Sequence, residues 1–198
     1  MKKLFQSVFI AAFLFVSADA MAKDKDFSLS FGTSTSKTVR FEVSNAKNIS
    51  LVIYNDSYGE LYSERLENED SVIKTYNLED LAEGTYYLIA ESEQKIEKYK
   101  IKISDDNKAE IEKTPFAIIS KPEFSISDHI VKLHIANLKN KVRISVTDYS
   151  GNTYYSSTKE GENGELNMTF DLDPKTADQY IISIEENGNT FNRTIALR

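Results

Sequence analysis

Phe41–Tyr62 reads FEVSNAKNISLVIYNDSYGELY, and Leu133–Tyr154 reads LHIANLKNKVRISVTDYSGNTY. The two stretches align without a gap at an offset of 92, with identities at Asn45/Asn137, Lys47/Lys139, Asn48/Asn140, Asp56/Asp148, Gly59/Gly151 and Tyr62/Tyr154. Self-similarity of that extent marks one structural unit used twice. Val39, Phe41 and Val43 alternate along one face, and Val131, Leu133 and Ile135 repeat them. Val52 and Tyr54 continue the alternation and align with Ile144 and Val146. A period of two carried by β-branched and aromatic residues predicts half-buried antiparallel strands. Asp56-Ser57-Tyr58-Gly59 and Asp148-Tyr149-Ser150-Gly151 follow as turn signals. Asp opens such a turn by capping the backbone, and Gly closes it by tolerating positive φ.

A later strand is expected in each copy, over Tyr86, Leu88 and Ala90 and over Tyr180, Ile182 and Ile184. Here the offset is 94, which places two extra residues of the second copy between its hairpin and this strand. Closing strands are expected near Tyr99–Ile103 and Phe191–Leu197, and no stretch shows a helical period. About seven short strands per copy, separated by turns, predict an all-β chain of two tandem immunoglobulin-like antiparallel β-sandwich domains.

Lys2 and Lys3, the apolar run Leu4–Val16 and the small residues Ala18, Ala20 and Ala22 have the layout of a cleaved secretory signal over residues 1–22. The apolar run is too short for a spanning helix, which needs about 20 residues, so no stable membrane anchor is expected. The first sandwich is then assigned to residues 23–104 and the second to 114–198. Between them the polar stretch Ser104–Glu110 suggests a linker over 105–113, with Phe116–Ile119 opening the second sandwich as the counterpart of Phe27–Phe31.

The formal charge of −7 argues against nucleic acid, whose recognition begins with a basic footprint. It also disfavours docking on anionic lipid. The absence of cysteine from an exported chain leaves stability to the two cores rather than to disulfides. It also rules out cysteine nucleophiles. A serine triad needs a histidine base, and the candidates are His129, beside Asp128 in a turn, and His134, on the outward face of a strand. Zinc prefers clustered His and Cys. The acidic pairs Asp105/Asp106 and Asp171/Asp173 lack the spacing of a calcium loop. No catalytic residue, metal site or cofactor is therefore expected, and the chain reads as a non-enzyme.

Asn45, Lys47 and Asn48 read as a turn in which Asn tolerates left-handed backbone. Eleven tyrosines with no tryptophan leave Tyr58, Tyr62, Tyr149, Tyr154 and Tyr155 clustered at the paired hairpins. Aromatic platforms of that kind suit glycan stacking and protein interfaces, which makes these hairpins the candidate ligand contacts.

The motif pair Val52–Gly59 and Leu81–Ile89, followed by the basic strand Lys98–Ile103, resembles the C-terminal sorting domain of proteins exported by the type IX secretion system of certain Gram-negative bacteria. In the terminal copy Asp178 stands where Gly84 stands in the first, and Tyr180 is kept. The chain is also similar in size and layout to small exported immunoglobulin-like proteins of the same bacteria. The resemblance implies an immunoglobulin-like fold and an exported bacterial setting, either periplasmic or at the cell surface. It also implies O-glycosylation at Ser71, within Asp70-Ser71-Val72. Two functions follow as expectations: a non-catalytic module binding an extracytoplasmic protein or glycan, or a chain whose C-terminal copy is an export signal.

Overall fold

A computed structural model describes residues 26–33, 36–106 and 108–197, so the expected leader over 1–22 lies outside the described residues. Among the described residues the chain is all strand, with no helix. The first half carries β1 (Ser28–Phe31), β2 (Thr38–Asn55), β3 (Gly59–Asn77), β4 (Gly84–Glu91), β5 (Lys95–Ile103), β6 (Ala109–Ile111) and β7 (Ala117–Ser120). The second carries β8 (Glu123–Ser127), β9 (Ile130–Ile135), β10 (Val142–Asp148), β11 (Thr153–Lys159), β12 (Leu166–Asp171), β13 (Gln179–Glu186) and β14 (Asn189–Ala196). Every pairing is antiparallel.

Two apolar clusters form. One gathers Phe41, Leu51, Leu88 and Ile101, and the other gathers Leu133, Ile144, Ile182 and Ile195, all at 1% exposure or less. Burying each such side chain contributes about 1.5–3 kcal/mol before ordering costs. In the second copy the core lies between a four-stranded sheet, β11-β10-β13-β14, and a three-stranded one, β12-β9-β8. In the first copy two long strands, β2 and β3, stand in place of the four strands β9 to β12. The N-terminal half of β2 pairs with β1 and the C-terminal half of β3, while its C-terminal half pairs with β4 and the N-terminal half of β3. Each long strand thus serves both layers. Tyr86 donates its hydroxyl to the Ala82 carbonyl at 2.9 Å and Tyr180 to that of Asp173 at 2.7 Å. These are the tyrosine-corner ties of immunoglobulin-like sandwiches.

The burial pattern corrects the sequence register. Val39, Phe41, Val43 and Ala46 match Val131, Leu133, Ile135 and Leu138 at an offset of 92, all of them buried. Beyond the corner, the residues that enter the core are Ile49, Leu51 and Ile53, matching Val142, Ile144 and Val146 at 93. Val52 and Tyr54 point outward instead, because one residue's slip moves a side chain to the other face. From Val72, opposite Val43, and Leu166, opposite Ile135, the offset is 94. The two extra residues therefore do not both follow the hairpin. One lies in the first crossing, 136–141 against 44–48, and the other in the return crossing, 160–165 against 67–71.

The expected domain boundary also differs. Within the polar stretch assigned to a linker, β6 pairs with Ile101–Ile103 and buries Ala109 in the first core. The strand at Ala117–Ser120 pairs with Lys95–Lys98 of β5 rather than opening the second sandwich. The counterpart of β1 is β8: Phe31 faces Phe41, and Phe124 faces Leu133. Polarity misled the sequence reading, because an edge strand needs only its inward residues to be apolar.

Candidate functional site

The two halves of β3 lie in opposite layers, so the flank between them is open. Leu61, Tyr62 and Glu64 from one half and Lys74, Thr75 and Tyr76 from the other line a cleft of about 510 Å³, together with Leu78, Asp80 and Leu81. The Tyr62 ring packs on Tyr76 at 4.8 Å between centroids and 59° between planes, and Tyr76 rests in turn on Phe41 at 5.5 Å. Glu64 accepts the Tyr76 hydroxyl at 2.5 Å through one oxygen and Lys74 Nζ at 2.8 Å through the other. Burial first, and the adjacent carboxylate second, push the Tyr76 hydroxyl well above its ordinary pKa. It stays protonated and acts as a donor. With both carboxylate oxygens occupied, the trio is arranged for recognition: an aromatic face beside a fixed acceptor and a fixed cation.

The second copy keeps the frame and changes the chemistry. Tyr155 stands at the place of Tyr62, facing Val146 as Tyr62 faces Ile53. Phe170 stands at the place of Tyr76, facing Val131 as Tyr76 faces Val39. Ser157 and Met168 replace Glu64 and Lys74. Tyr155 packs edge-on against Phe170 at 5.6 Å, and its hydroxyl is buried with no hydrogen-bond partner. That flank is an extension of the core.

The five tyrosines singled out by the sequence do not form one platform. Tyr58 and Tyr149 are 73% and 67% exposed at the two hairpin tips. Tyr62 lines the cleft, and Tyr155 packs inward. Tyr154 donates to Asp148 at 2.8 Å and meets the edge of Tyr180 at 5.2 Å. Glu64, Lys74 and Tyr76 carried no sequence signal, because only the pairing of β3 with both halves of β2 brings positions so far apart in the strand to one cleft.

The hairpin turns also differ from expectation. Asn55 caps the first turn, its Oδ1 accepting the Ser57 amide at 2.8 Å and the Tyr58 amide at 3.3 Å. Asp56 instead accepts the hydroxyls of Tyr54 and, at 3.3 Å, of Tyr87. In the second copy Asp148 does the capping, accepting the Asn152 amide at 2.9 Å and its side chain at 2.8 Å. The Asn152 side chain first, with the Tyr154 hydroxyl and the backbone amides of Asn152 and Ser150, holds the Asp148 carboxyl down to about 2. Gly59 and Gly151 take φ of 76° and 83°, as their turns require.

Ser71, the O-glycosylation position the resemblance implies, lies inside β3 opposite Ser44, where it is exposed and donates to Glu42 at 2.5 Å. Asn45, Asn48 and Asn137 are left-handed, at φ of 55°, 53° and 58°. His129 Nε2 lies 3.6 Å from Asp171, and His134 shares a 2.9 Å hydrogen bond with Asn167 on the outer face. Asp106 is held by Ser104 and Lys108, and Asp173 Oδ1 accepts the Lys175 amide. No three His, Asp or Glu side chains converge on one metal position among the described residues.

No family model and no curated protein matches the chain. Among solved structures, a biofilm-associated protein, BSP domain, is similar at a TM-score of 0.29 and 14% identity, over 86% of this chain. The chain spans 29% of that structure's length. At that TM-score the likeness carries no inference about function.

Proposed function

We propose that the protein is an exported, non-catalytic binding module whose first copy takes a glycan in the cleft between the halves of β3. The observation that supports this is the difference between the two flanks. Both copies need a packed edge, yet only the first places an aromatic face beside a partly exposed ion pair, Lys74 and Glu64, with about a fifth of each side chain open to solvent. A sugar presents a C–H face to a ring and hydroxyls to a paired donor and acceptor, which is the set of groups that Tyr62, Glu64 and Lys74 offer. Export rests on the pattern of residues 1–22.

A panel of immobilised glycans and extended peptides tests the reading. Glycan binding that falls roughly ten-fold, ~1.4 kcal/mol, with Tyr62→Ala and stays unchanged with Tyr149→Ala is the expected result. Binding confined to peptides would overturn the ligand class. Turnover of a substrate, lost on a single polar substitution, would overturn the non-catalytic role.

The likeness of Val52–Ile103 to sorting domains supports a second reading, in which the C-terminal copy directs export. Deleting Gln179–Arg198 should then trap the protein in the periplasm, and unchanged release would count against it.

A further inference from the structure

A strand at the edge of a sheet leaves every other N–H and C=O without a partner in the ladder, and such rows template the addition of another strand. The duplicated fold permits a direct comparison of one such edge. β5 and β14 occupy the same place: Leu88 and Ile101 in the first copy correspond to Ile182 and Ile195 in the second, on β4/β5 and β13/β14. On its far side β5 carries two more strands, β6 against Ile101–Ile103 and β7 against Lys95–Lys98. Among the described residues, β14 pairs with β13 and with no other strand.

We propose that this edge is an interaction site for a second copy of the chain, with β14 pairing antiparallel to β14 of the second copy and joining two four-stranded sheets into one. Three features of β14 carry the proposal. The strand carries few of the devices that protect an open edge: Asn189–Ala196 contains no proline and no glycine and its register with β13 runs without a bulge, while its one charge, Arg193, shares the face of Phe191 and Ile195, where a pairing strand must give it a partner. Its outward residues Thr190, Asn192 and Thr194 are small, polar and exposed, so nothing bulky flanks the backbone. Its sequence is also self-complementary in one register.

That register follows from the pleat. In an antiparallel two-fold pair, residues directly opposite each other share a face, so the axis must pass through a residue rather than between two. An axis through Arg193 would set two guanidinium groups against each other. An axis through Asn192 sets Asn192 against its own copy, Thr190 against Thr194 of the second copy, and Arg193 beside the ring of Phe191 of the second copy. The last contact is a favourable cation–aromatic pair, and it forms twice. β-branched threonines opposite one another suit the ladder as well. A second copy of the chain is therefore the occupant this edge fits, and the site stands apart from the cleft of the first copy.

The chain has no cysteine, so single substitutions report position cleanly. Asn192→Cys should give a covalent dimer on oxidation or with a short bifunctional maleimide, while Thr158→Cys on β11, at the other edge of the same sheet, should give no covalent dimer. Light scattering across a concentration series should show a dimer for the unmodified protein and a monomer for Asn192→Lys, which sets two lysines opposite each other at an exposed position. Circular dichroism confirms that the variant is folded. A unmodified protein that stays monomeric at every concentration would overturn the proposal. So would a cross-link that forms equally well, or better, through position 158.

Discussion

The two copies cross between their sheets in different ways. In the first, β2 and β3 run through the crossing as paired strands, with Ala46 opposite Glu69 and Lys47 opposite Asn68. In the second, the same crossing is broken into β9 and β10 on one side and β11 and β12 on the other. The cause is one added residue in each arm, 136–141 against 44–48 and 160–165 against 67–71. Between matched arms of the shorter length the ladder survives, aided by left-handed Asn45 and Asn48. With the longer arms it is reduced to a hydrogen bond from the Leu138 amide to the Gly164 carbonyl at 2.8 Å and a tight turn between Glu162 and Glu165. Paired insertions at one level of a sandwich thus change continuous strands into separate sheets while leaving both cores in place.

The hardest test of that comparison is in the cores. Leu88 and Ile182 sit at equivalent places and are both fully buried. Leu88→Ala and Ile182→Ala should each cost about 3 kcal/mol, the usual scale for a buried aliphatic truncated to alanine. If the copies are separate cooperative units, calorimetry will show each substitution lowering a different transition. One shared transition shifted by both would mean that the halves fold together.

A smaller effect tests the corrected register. Asn45→Ala, Asn48→Ala and Asn137→Ala should each cost about 1 kcal/mol, because alanine has no local hydrogen bond to offset left-handed backbone. Asn140 aligns with Asn48 in sequence but does not share its positive φ. Asn140→Ala should therefore be close to neutral in urea unfolding. An equal cost at 48 and 140 would restore the ungapped alignment.

That test shows what the sequence could carry. Alternation at Val39–Val43 and Val131–Ile135, and the Gly59 and Gly151 turns, reported their local conformation directly, since face and φ are properties of single residues. The all-β class and the sandwich were legible from them. The slip at the crossing was not, because Leu51-Val52-Ile53-Tyr54 is apolar on both faces and alternation cannot choose between them. The strand β6 was hidden for a related reason: Ala109 and Ile111 are its only inward residues in a polar run. The cleft was the least legible, since Glu64, Lys74 and Tyr76 acquire meaning only when one strand is seen to serve two layers.

The two flanks give a third contrast, in which the same substitution should have opposite signs. Tyr76→Phe removes the 2.5 Å bond to Glu64 and should cost about 1 kcal/mol. Tyr155→Phe removes a buried hydroxyl that has no partner, and should be neutral or stabilising by up to about 1 kcal/mol. A loss of stability at both positions in thermal melts would mean that the Tyr155 hydroxyl is satisfied after all.

The smallest expected effect separates the hairpins by pH. The Asp148 carboxyl is held at about 2 in the folded turn, chiefly by Asn152, against an ordinary value near 4 when unfolded. A carboxyl with a lowered folded pKa stabilises the turn above its unfolded value, and that contribution fades as pH falls from about 4 to about 2. The first hairpin is capped by Asn55, whose amide does not titrate. Amide exchange measured at Asn152 and Tyr154 should therefore quicken, relative to Ser57 and Tyr58, as the solution is acidified through that window. Asp148→Asn should remove the difference by giving the second hairpin the cap of the first. Parallel pH profiles in the unmodified protein would show that the caps, unlike the crossings and the flanks, are interchangeable between the copies.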